Sequence, residues 1–308
     1  MGYQNANWLF CALITAVCSI PAVAQRANLP ADVTSAIADM GPTLSPEVVR
    51  KSIELMRPLQ APRDGLAFSK DVAYGPDPLQ KMDIYEPQES ASPAAPIVIF
   101  VHGGGFARGD KGGGENIAAY LARHGLLGVT MNYRLAPSAK WPEQSLDLGS
   151  AIAWLQQNGG RHGGDPHRIV AIGHSAGAAV VASYVLDQSI STTRDGVVGA
   201  VLLSGVYGYN TSAPEYYGED PAKQVEREPR SHVGGSKLPL LIVAAEFDPP
   251  RVAADNHQLA AALCIRGGKC PPFVWLAGHN HMTEIASIDT KDDRLGREIL
   301  AFVQTVAK

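Results

Sequence analysis

The sequence has few cysteines, little net charge and no long hydrophobic run. Its 308 residues include 4 cysteines, 26 lysines and arginines, and 30 aspartates and glutamates, for a formal net charge of −4. Because a nucleic-acid-binding face needs an excess of basic residues, we expect no nucleic-acid partner. The longest apolar run, Trp8 to Ile20, has 13 residues, fewer than the ~20 that span a bilayer. We therefore expect no stable membrane association.

The N-terminal segment has the pattern of an export signal. The apolar run ends before Pro21, and Ala22-Val23-Ala24 forms a small-x-small cleavage site ahead of Gln25. Residues 1–7 contain no lysine or arginine, so a buried or membrane-anchoring N-terminal helix is the alternative. We predict that residues 1–24 are a signal peptide and that the chain is exported, to the periplasm or the medium.

Two cysteines remain beyond the predicted signal peptide. Cys264 and Cys270 are separated by five residues that include Gly267-Gly268. An even pair around a glycine turn in an exported protein indicates a disulfide. Two free thiols are the alternative if the chain is not exported.

The chain divides into a short lead and one large domain, without internal repeats or low-complexity tracts. Residues 25–65 form a proline-punctuated lead, in which Ser45 and Pro46 mark the start of a helix. This helix either covers part of an active-site cleft or packs on the flank of the domain. Residues 66–308 are predicted to form the catalytic domain.

Strand and helix patterns alternate from residue 66 onwards. Residues 68–74 and 80–85 flank a Gly-Pro-Asp-Pro turn and predict a hairpin. Six uninterrupted apolar runs are typical of parallel strands covered on both faces: Ile97–Val101, Leu127–Met131, Ile169–Ile172, Val198–Leu203, Leu240–Ala244 and Phe273–Leu276. Helices are predicted at 114–124, 143–157, 176–187, 252–263 and 292–306. The pattern predicts an α/β fold with one mostly parallel eight-stranded sheet and helices on both faces. The carboxyl ends of its parallel strands should meet at one edge.

The strongest chemical signal is Gly173-His174-Ser175-Ala176-Gly177, which follows a predicted strand and opens a predicted helix. A serine on such a strand-to-helix turn has its Oγ raised above the edge of the sheet, and the flanking glycines are needed where a Cβ would clash. The amino end of the following helix directs its dipole to the same point. We predict that Ser175 is a nucleophile; the alternative is a purely structural turn.

A second signal is His102-Gly103-Gly104-Gly105-Phe106, directly after the strand that ends at Val101. Three glycines leave successive backbone N–H groups free to face an oxygen that gains negative charge during acyl transfer. Each well-placed donor is worth ~3–4 kcal/mol. We predict an oxyanion hole formed by the N–H groups of Gly104, Gly105 and Ala176, with His102 bracing the loop. Neither phosphate-loop pattern, G-x-x-x-x-G-K-[ST] or G-x-G-x-x-G, is present.

A nucleophilic serine needs a base, and the base needs an acid that orients it. Asp248 lies in the loop after the strand at 240–244 and is followed by two prolines. Glu246 is a rival acid two residues away. We favour Asp248, because Glu246 is still close to the strand.

Two histidines compete for the role of the base, His279 and His281, both after the last predicted strand. We favour His281, which lies deeper in the loop. A metal held by the His-x-His pair is the alternative, but no third ligand with suitable spacing is nearby. We therefore predict no metal ion.

Together these motifs resemble the α/β-hydrolase carboxylesterases, in particular the hormone-sensitive-lipase-like and feruloyl-esterase/arylformamidase-like branch. The matching segments run from about residue 66 to the C-terminus: His102–Phe106, Asn132–Pro137, Trp141-Pro142, Gly164–Pro166 and Gly173–Gly177, with Asp248 and His281. The resemblance implies a Ser175/Asp248/His281 triad, no cofactor, and small-molecule ester substrates of small to medium size. His174 stands where the lipase-like group usually has aspartate, which favours the feruloyl-esterase/formamidase side.

The predicted function is the hydrolysis of carboxylic esters through an acyl-enzyme. An amidase, arylformamidase or peptidase on the same triad is the main alternative, and a non-catalytic binding protein with a hydrolase fold is another. Residues 205–236 follow a predicted strand and carry four tyrosines, which indicates that they shape the substrate pocket: Tyr207, Tyr209, Tyr216 and Tyr217.

Overall fold

A computed structural model describes residues 27–88, 94–191, 196–208, 213–268 and 270–308. Their strands form a single eight-stranded sheet in the order β1-β2-β4-β3-β5-β6-β7-β8. The predicted signal peptide and Tyr209 lie outside the described residues. The predicted eight-stranded α/β fold is therefore the fold of the chain.

Six of the eight strands coincide with the predicted apolar runs, and five of these six extend beyond them; the two hairpin strands are each one residue shorter than predicted. Strands β1 and β2 pair antiparallel, as the predicted hairpin requires, and β2 pairs antiparallel with β4. The other five neighbouring pairs, β3–β4, β3–β5, β5–β6, β6–β7 and β7–β8, are parallel. The bounds are β1 Phe68–Ala73, β2 Lys81–Tyr85, β3 Ala95–Val101, β4 Leu127–Met131, β5 Gly164–His174, β6 Val197–Leu203, β7 Leu240–Phe247 and β8 Phe273–Asn280.

The described residues form ten α-helices, five of which match the helices predicted between the strands. The bounds are α1 Ala31–Met40, α2 Pro46–Met56, α3 Glu115–Arg123, α4 Glu143–Asn158, α5 Ala176–Leu186, α6 Pro214–Tyr217, α7 Pro221–Arg227, α8 Pro250–Gly267, α9 Thr283–Ala286 and α10 Arg294–Val306. Helix α2 begins as predicted, because the Ser45 hydroxyl accepts the N–H of Val48 at 3.2 Å. Among the described residues, no helix is long and apolar enough to cross a membrane.

The two faces of the sheet bury separate apolar cores. On one face Ile97, Ile99 and Val101 of β3 pack in a core that includes residues of α4 and α5. On the other face Val98 and Phe100 pack in a core with residues of α3 and α10. Because alternate residues of a strand point to opposite faces, an uninterrupted apolar strand serves both cores. This explains why the apolar runs located the central strands.

The N-terminal lead packs on the flank of the domain, the second of the two predicted placements. Val33 and Ile37 of α1 and Met56 of α2 form a buried cluster against Phe247 at the end of β7 and Ala286 of α9. Helix α1 contacts β8, and α2 contacts α9. The lead thus lies behind the loops that follow β7 and β8, which carry Asp248 and His281.

Near the end of α8, the sulfur atoms of Cys264 and Cys270 lie against each other, at a sequence separation of 6. The predicted disulfide between them stays a prediction.

Candidate active site

Ser175 lies on the predicted tight turn between β5 and α5. Its backbone has φ 56° and ψ −122°, a conformation that residues with a side chain rarely adopt and that occurs where neighbouring structure imposes it. A Cβ on Gly173 would lie 2.3 Å from the carbonyl oxygen of Gly177, and one on Gly177 would lie 2.2 Å from that of Val101. Both glycines are therefore required by close backbone approach, and Ser175 remains partly exposed.

The glycine loop after β3 lies directly against this serine. A Cβ on Gly103 would be 2.9 Å from the Cβ of Ser175. Gly104 has φ 122°, and a Cβ there would lie 2.1 Å from the carbonyl oxygen of Arg108. Outside regular helices and strands, the backbone hydrogen bonds between described residues do not use the N–H groups of Gly104, Gly105 or Ala176. These amides are thus available to a substrate oxygen, as an oxyanion hole requires.

His102 supports the loop, as predicted. Its Nδ1 lies 2.7 Å from the carbonyl oxygen of Gly103, and its ring stacks on Tyr133 with centroids 4.4 Å apart. The Tyr133 hydroxyl donates to the carbonyl oxygen of His102 at 3.0 Å. Burial lowers the pKa of His102, so the ring is a neutral spacer beneath the loop.

Asp248 is the acid that reaches a histidine. Its Oδ1 lies 2.8 Å from Nδ1 of His281, while its Oδ2 accepts hydrogen bonds from the Ser204 hydroxyl at 2.6 Å and the Ala245 N–H at 2.9 Å. The residue is only 2% exposed. Three donors therefore fix the carboxylate in one orientation.

Glu246, the rival acid, and Asp255, a further acid on the following helix, make other contacts. Glu246 is exposed and accepts the N–H of Gly278 at 2.7 Å. Asp255 on α8 accepts the N–H of Tyr207 at 3.2 Å. Of these three acids, Asp248 is the one whose carboxylate contacts the imidazole of His281, and its catalytic role stays a prediction.

His281 lies beside the residue that precedes Ser175. Its ring lies 4.6 Å, centroid to centroid, from that of His174, the residue that precedes Ser175. Its Nε2 is buried and has no hydrogen-bond partner among the described residues, which leaves this nitrogen available to a hydroxyl. The ends of β5, β7 and β8 thus bring Ser175, Asp248 and His281 to the same edge of the sheet.

His279 is engaged elsewhere. Its Nε2 lies 3.0 Å from Oδ2 of Asp292, and its Nδ1 lies 3.3 Å from Oγ1 of Thr283. With both ring nitrogens in hydrogen bonds, His279 is neither a free base nor a metal ligand together with His281. Of the two histidines, His281 is the one whose Nε2 has no hydrogen-bond partner among the described residues, and its role as the base stays a prediction.

One cluster of described residues is close enough to hold a cation, but its geometry is that of a hydrogen-bonded network. Ligand atoms of His174, His281 and Glu284 lie within 4.8 Å of one another, and all three residues are buried. However, Nδ1 of His281 is bonded to Asp248, and Nε2 of His174 donates to the carbonyl oxygen of His281 at 2.8 Å. We therefore assign no metal role to the cluster.

Aromatic side chains from the segment after β6 pack on the glycine loop that follows β3. Tyr216 stacks on Phe106 with ring centroids 3.8 Å apart, and Tyr217 meets Phe106 edge-on at 5.6 Å. Arg227 lies over the ring of Trp141, 5.2 Å from its centroid. The described part of the tyrosine-rich segment is thus packed beside the site, and Tyr207, Tyr216 and Tyr217 are buried.

Several residues of the site escape sequence reasoning. Ser204, which holds Asp248, follows β6 in an unremarkable Ser-Gly pair, and only its position at a strand end marks it. Glu284 follows His281 by three residues, but its burial beside the triad depends on tertiary packing. The Ser52–Asn280 contact joins residues 228 positions apart, a pairing that the sequence does not signal.

Comparisons with known proteins agree with the resemblance predicted from the motifs. Residues 82–195 match the sequence model of the BD-FAE family. The chain is 33% identical over 157 residues to the esterase LipC of Mycobacterium tuberculosis, an alignment that covers 47% of this chain and 38% of that protein. It is 35% identical over 127 residues to a probable isoprenylcysteine alpha-carbonyl methylesterase of Oryza sativa subsp. japonica, covering 41% of this chain and 30% of that protein. The chain thus spans less than two fifths of the length of these curated relatives.

Solved structures of esterases share the fold. Esterase B from Lactobacillus Rhamnosis superposes with a TM-score of 0.72 at 18% identity, over 90% of this chain and 94% of that one. A bacterial heroin esterase superposes with a TM-score of 0.65 at 19% identity, over 90% of this chain and 98% of that one. The chain has the α/β-hydrolase fold, and its predicted resemblance to α/β-hydrolase esterases is confirmed.

Proposed function

We propose that this α/β-hydrolase-fold chain, related in sequence to bacterial and plant esterases, is a serine hydrolase that cleaves carboxylic esters of small to medium size. The observation that carries the proposal is the convergence of three strand ends. They bring a serine on a strained turn, a buried imidazole with one unpartnered nitrogen, and a carboxylate bonded to its other nitrogen to one edge of the sheet. The esterase names of its relatives support the same activity.

The first half of the reaction forms an acyl-enzyme. Nε2 of His281 takes the proton of the Ser175 hydroxyl as Oγ attacks the ester carbonyl, and Asp248 stabilises the imidazolium that results. The N–H groups of Gly104, Gly105 and Ala176 hold the oxygen of the tetrahedral intermediate. The C–O bond to the alcohol then breaks, and His281 gives its proton to the leaving alkoxide.

The second half releases the acid. His281 takes a proton from water as the hydroxyl attacks the acyl carbon of the ester on Ser175. Collapse of the second tetrahedral intermediate returns the proton from His281 to Oγ, which restores the hydroxyl. Atoms balance as ester plus water giving acid plus alcohol, and no step uses a cofactor.

Rates on matched substrates test the proposal and separate it from its alternatives. We would compare p-nitrophenyl acetate and longer p-nitrophenyl esters with an N-formyl arylamine and a chromogenic peptide amide. The proposal predicts that kcat/KM for the best ester exceeds that for the formamide and the peptide, and that Ser175→Ala removes ester turnover while the far-UV circular dichroism is unchanged. A preference for the formamide or the peptide would assign the triad to an amidase or peptidase. Ester turnover that survives in Ser175→Ala would refute the nucleophile.

We further infer that residues 1–24 direct export and that the Cys264–Cys270 disulfide forms in an oxidising compartment. The apolar run with its small-residue cleavage site supports export, and a disulfide in a short loop near the surface fits an exported protein. The test is N-terminal analysis of the protein recovered from the periplasm or medium of an expressing bacterium. Export predicts a chain that begins at Gln25, whereas a full-length chain confined to the cytoplasm would contradict it.

A further inference from the structure

A second buried imidazole–carboxyl pair lies beside the proposed triad. His174 and Glu284 are 2% and 0% exposed, and Nε2 of His174 lies 3.3 Å from Oε1 of Glu284. The same nitrogen lies 2.8 Å from the carbonyl oxygen of His281. Because a carbonyl oxygen can only accept, Nε2 of His174 carries a proton and donates it.

This pair touches His281 in two ways. The hydrogen bond from His174 holds the backbone of His281, and the two rings lie 4.6 Å apart at a tilt of 41°. Glu284 packs against the same nitrogen of His174 from the side of α9, although neither of its carboxyl oxygens has a hydrogen-bond partner among the described residues. The proposed reaction assigns a step to neither residue, so their burial next to the base calls for another explanation.

Burial disfavours the charged form of both members of the pair. The titratable and polar groups that face the Glu284 carboxyl are His174, His281, Asp248, Ser204 and Tyr207. Burial raises the pKa of Glu284 well above its ordinary value, and the negative charge of Asp248 adds to the effect. Burial also lowers the pKa of His174 to about 4.

We propose that Glu284 and His174 are positioning residues: Glu284 packs against Nε2 of His174 and keeps that ring in place, and His174 holds the backbone and ring of His281 beside Asp248. The proposal rests on the proposed function, since it assigns the pair a role in presenting the base. Because burial disfavours charge on both members, the pair supports the imidazole of His281 without competing with Asp248 for the imidazole proton. Asp248 then remains the charged partner of the imidazolium.

Two substitutions at Glu284 separate orientation from charge. Glu284→Gln keeps the size and shape of the buried side chain and is neutral, so we expect kcat within about threefold of the wild type and no movement of the acidic limb of the pH profile. Glu284→Ala removes the side chain that packs against His174 and leaves a cavity. We expect it to lower kcat by roughly 10–100-fold with KM little changed, because small displacements of a reacting group carry penalties of that size.

A matched control removes polar support from the same segment without touching His281 or His174. The Asn116 side chain donates to the carbonyl oxygens of Ile285 and Ile288 at 2.9 and 3.0 Å and is buried. We expect Asn116→Ala to lower the melting temperature but to leave the kcat and pH profile of the folded enzyme near those of the wild type. A loss of kcat in Asn116→Ala equal to that in Glu284→Ala would reduce the pair to general packing and overturn the proposal.

A substitution pair at His174 keeps the proposal testable if Glu284→Ala does not fold. His174→Gln retains a donor that can reach the carbonyl oxygen of His281, whereas His174→Leu has none. We expect His174→Gln to retain at least tenfold more kcat than His174→Leu. Equal kcat in the two His174 variants would contradict the positioning role. A shift of the acidic limb of the pH profile to lower pH in Glu284→Gln would also contradict it, because that shift requires an ionised Glu284 in the wild type.

A readout that needs no turnover separates failure of this proposal from failure of the proposed function. The Nδ1 proton of His281, in its hydrogen bond to Asp248, gives a low-field proton NMR resonance that can be assigned with Asp248→Asn. We expect this resonance to persist in Glu284→Gln and to shift or broaden in Glu284→Ala. If wild-type protein hydrolyses no ester and Ser175 resists a phosphonate label, the proposed function fails. A resonance unchanged in Glu284→Ala would overturn the positioning role alone.

Discussion

Asp248 shows how few contacts decide between two acids that are neighbours in the chain. Its carboxylate receives hydrogen bonds from His281, Ser204 and the Ala245 N–H, whereas the Glu246 carboxylate extends to the N–H of Gly278. The two carboxylates, two positions apart in the chain, thus contact different segments. The orientation of the His281 imidazole thus depends on Asp248 and not on Glu246.

Asp248→Asn tests this assignment. The amide cannot accept the Nδ1 proton and stabilise the imidazolium as a carboxylate does, so we expect kcat to fall by roughly 10³–10⁴-fold with the fold intact. Glu246→Gln is the control and should stay within a few-fold of the wild type. Steady-state kinetics on p-nitrophenyl acetate measure both variants, and a larger loss in Glu246→Gln would exchange the two roles.

At the scale of single residues, the sequence predicted what is encoded locally. Ser175 and its glycines form a short motif whose backbone geometry requires those residue types, so the turn could be predicted with its chemistry. The choice between His279 and His281 rested on loop depth, and only the structure adds that Asp292 and Thr283 occupy both nitrogens of His279. Ser204 could not be found, because a lone serine at a strand end has no distinctive pattern.

The element that most directly supports the base is the turn from β8 into α9. The Asn280 side chain accepts the N–H groups of Met282 and Thr283 at 3.0 and 2.9 Å and donates to the Ser52 hydroxyl of α2 at 3.0 Å. The N-terminal lead is thereby tied to the residue next to His281. The sequence left the placement of this lead open, since its apolar stripe fits a cleft or a flank equally well.

Asn280→Ala removes all three of these hydrogen bonds, whereas Ser52→Ala removes only the contact between α2 and the turn. Leaving buried N–H groups unpaired costs about 1–3 kcal/mol each, so we expect Asn280→Ala to lower the melting temperature and to reduce kcat by an order of magnitude or more. Ser52→Ala should lower the melting temperature less and leave kcat almost unchanged. Calorimetry and kinetics on both variants check this expectation. Equal kcat in the two variants would show that the turn does not position His281.

The loop from α9 to α10 contains a pH-dependent contribution to stability. Burial by itself would raise the pKa of Asp292, but hydrogen bonds from His279 and Arg294 outweigh it and lower the pKa to about 2. Since an unfolded aspartate titrates near 3.9, the contribution is fully present above about pH 4. This contribution is lost as the pH falls towards 2. The reason is that the unfolded state takes up its proton at a higher pH than the folded state does, so acid favours unfolding.

Asp292→Asn should therefore lower the melting temperature at pH 7, by an amount that corresponds to on the order of 2 kcal/mol. The difference from the wild type should shrink as the pH is lowered from 4 to 2. Thermal unfolding across this range measures it. A difference that stays constant down to pH 2 would mean that the carboxylate contributes through packing and not through its charge.

At the scale of the whole molecule, the sheet assembles a site from segments that are far apart in sequence. Ser175, Asp248 and His281 follow β5, β7 and β8, and the glycine loop follows β3. Parallel strands with right-handed crossovers place these four ends at one edge, so their meeting could be predicted once the apolar runs were recognised as strands. The short helices α6, α7 and α9 could not be predicted, because four- to seven-residue helices depend on packing more than on periodicity.

The most direct test of the central claim is covalent labelling of Ser175 by an ester-mimicking p-nitrophenyl phosphonate. Intact-mass analysis and peptide mapping should find one phosphonyl group on Ser175 of the wild-type protein, none on the Ser175→Ala variant, and much slower labelling of His281→Ala. A folded wild-type protein that takes up no label, or that carries it on another residue, would contradict the account.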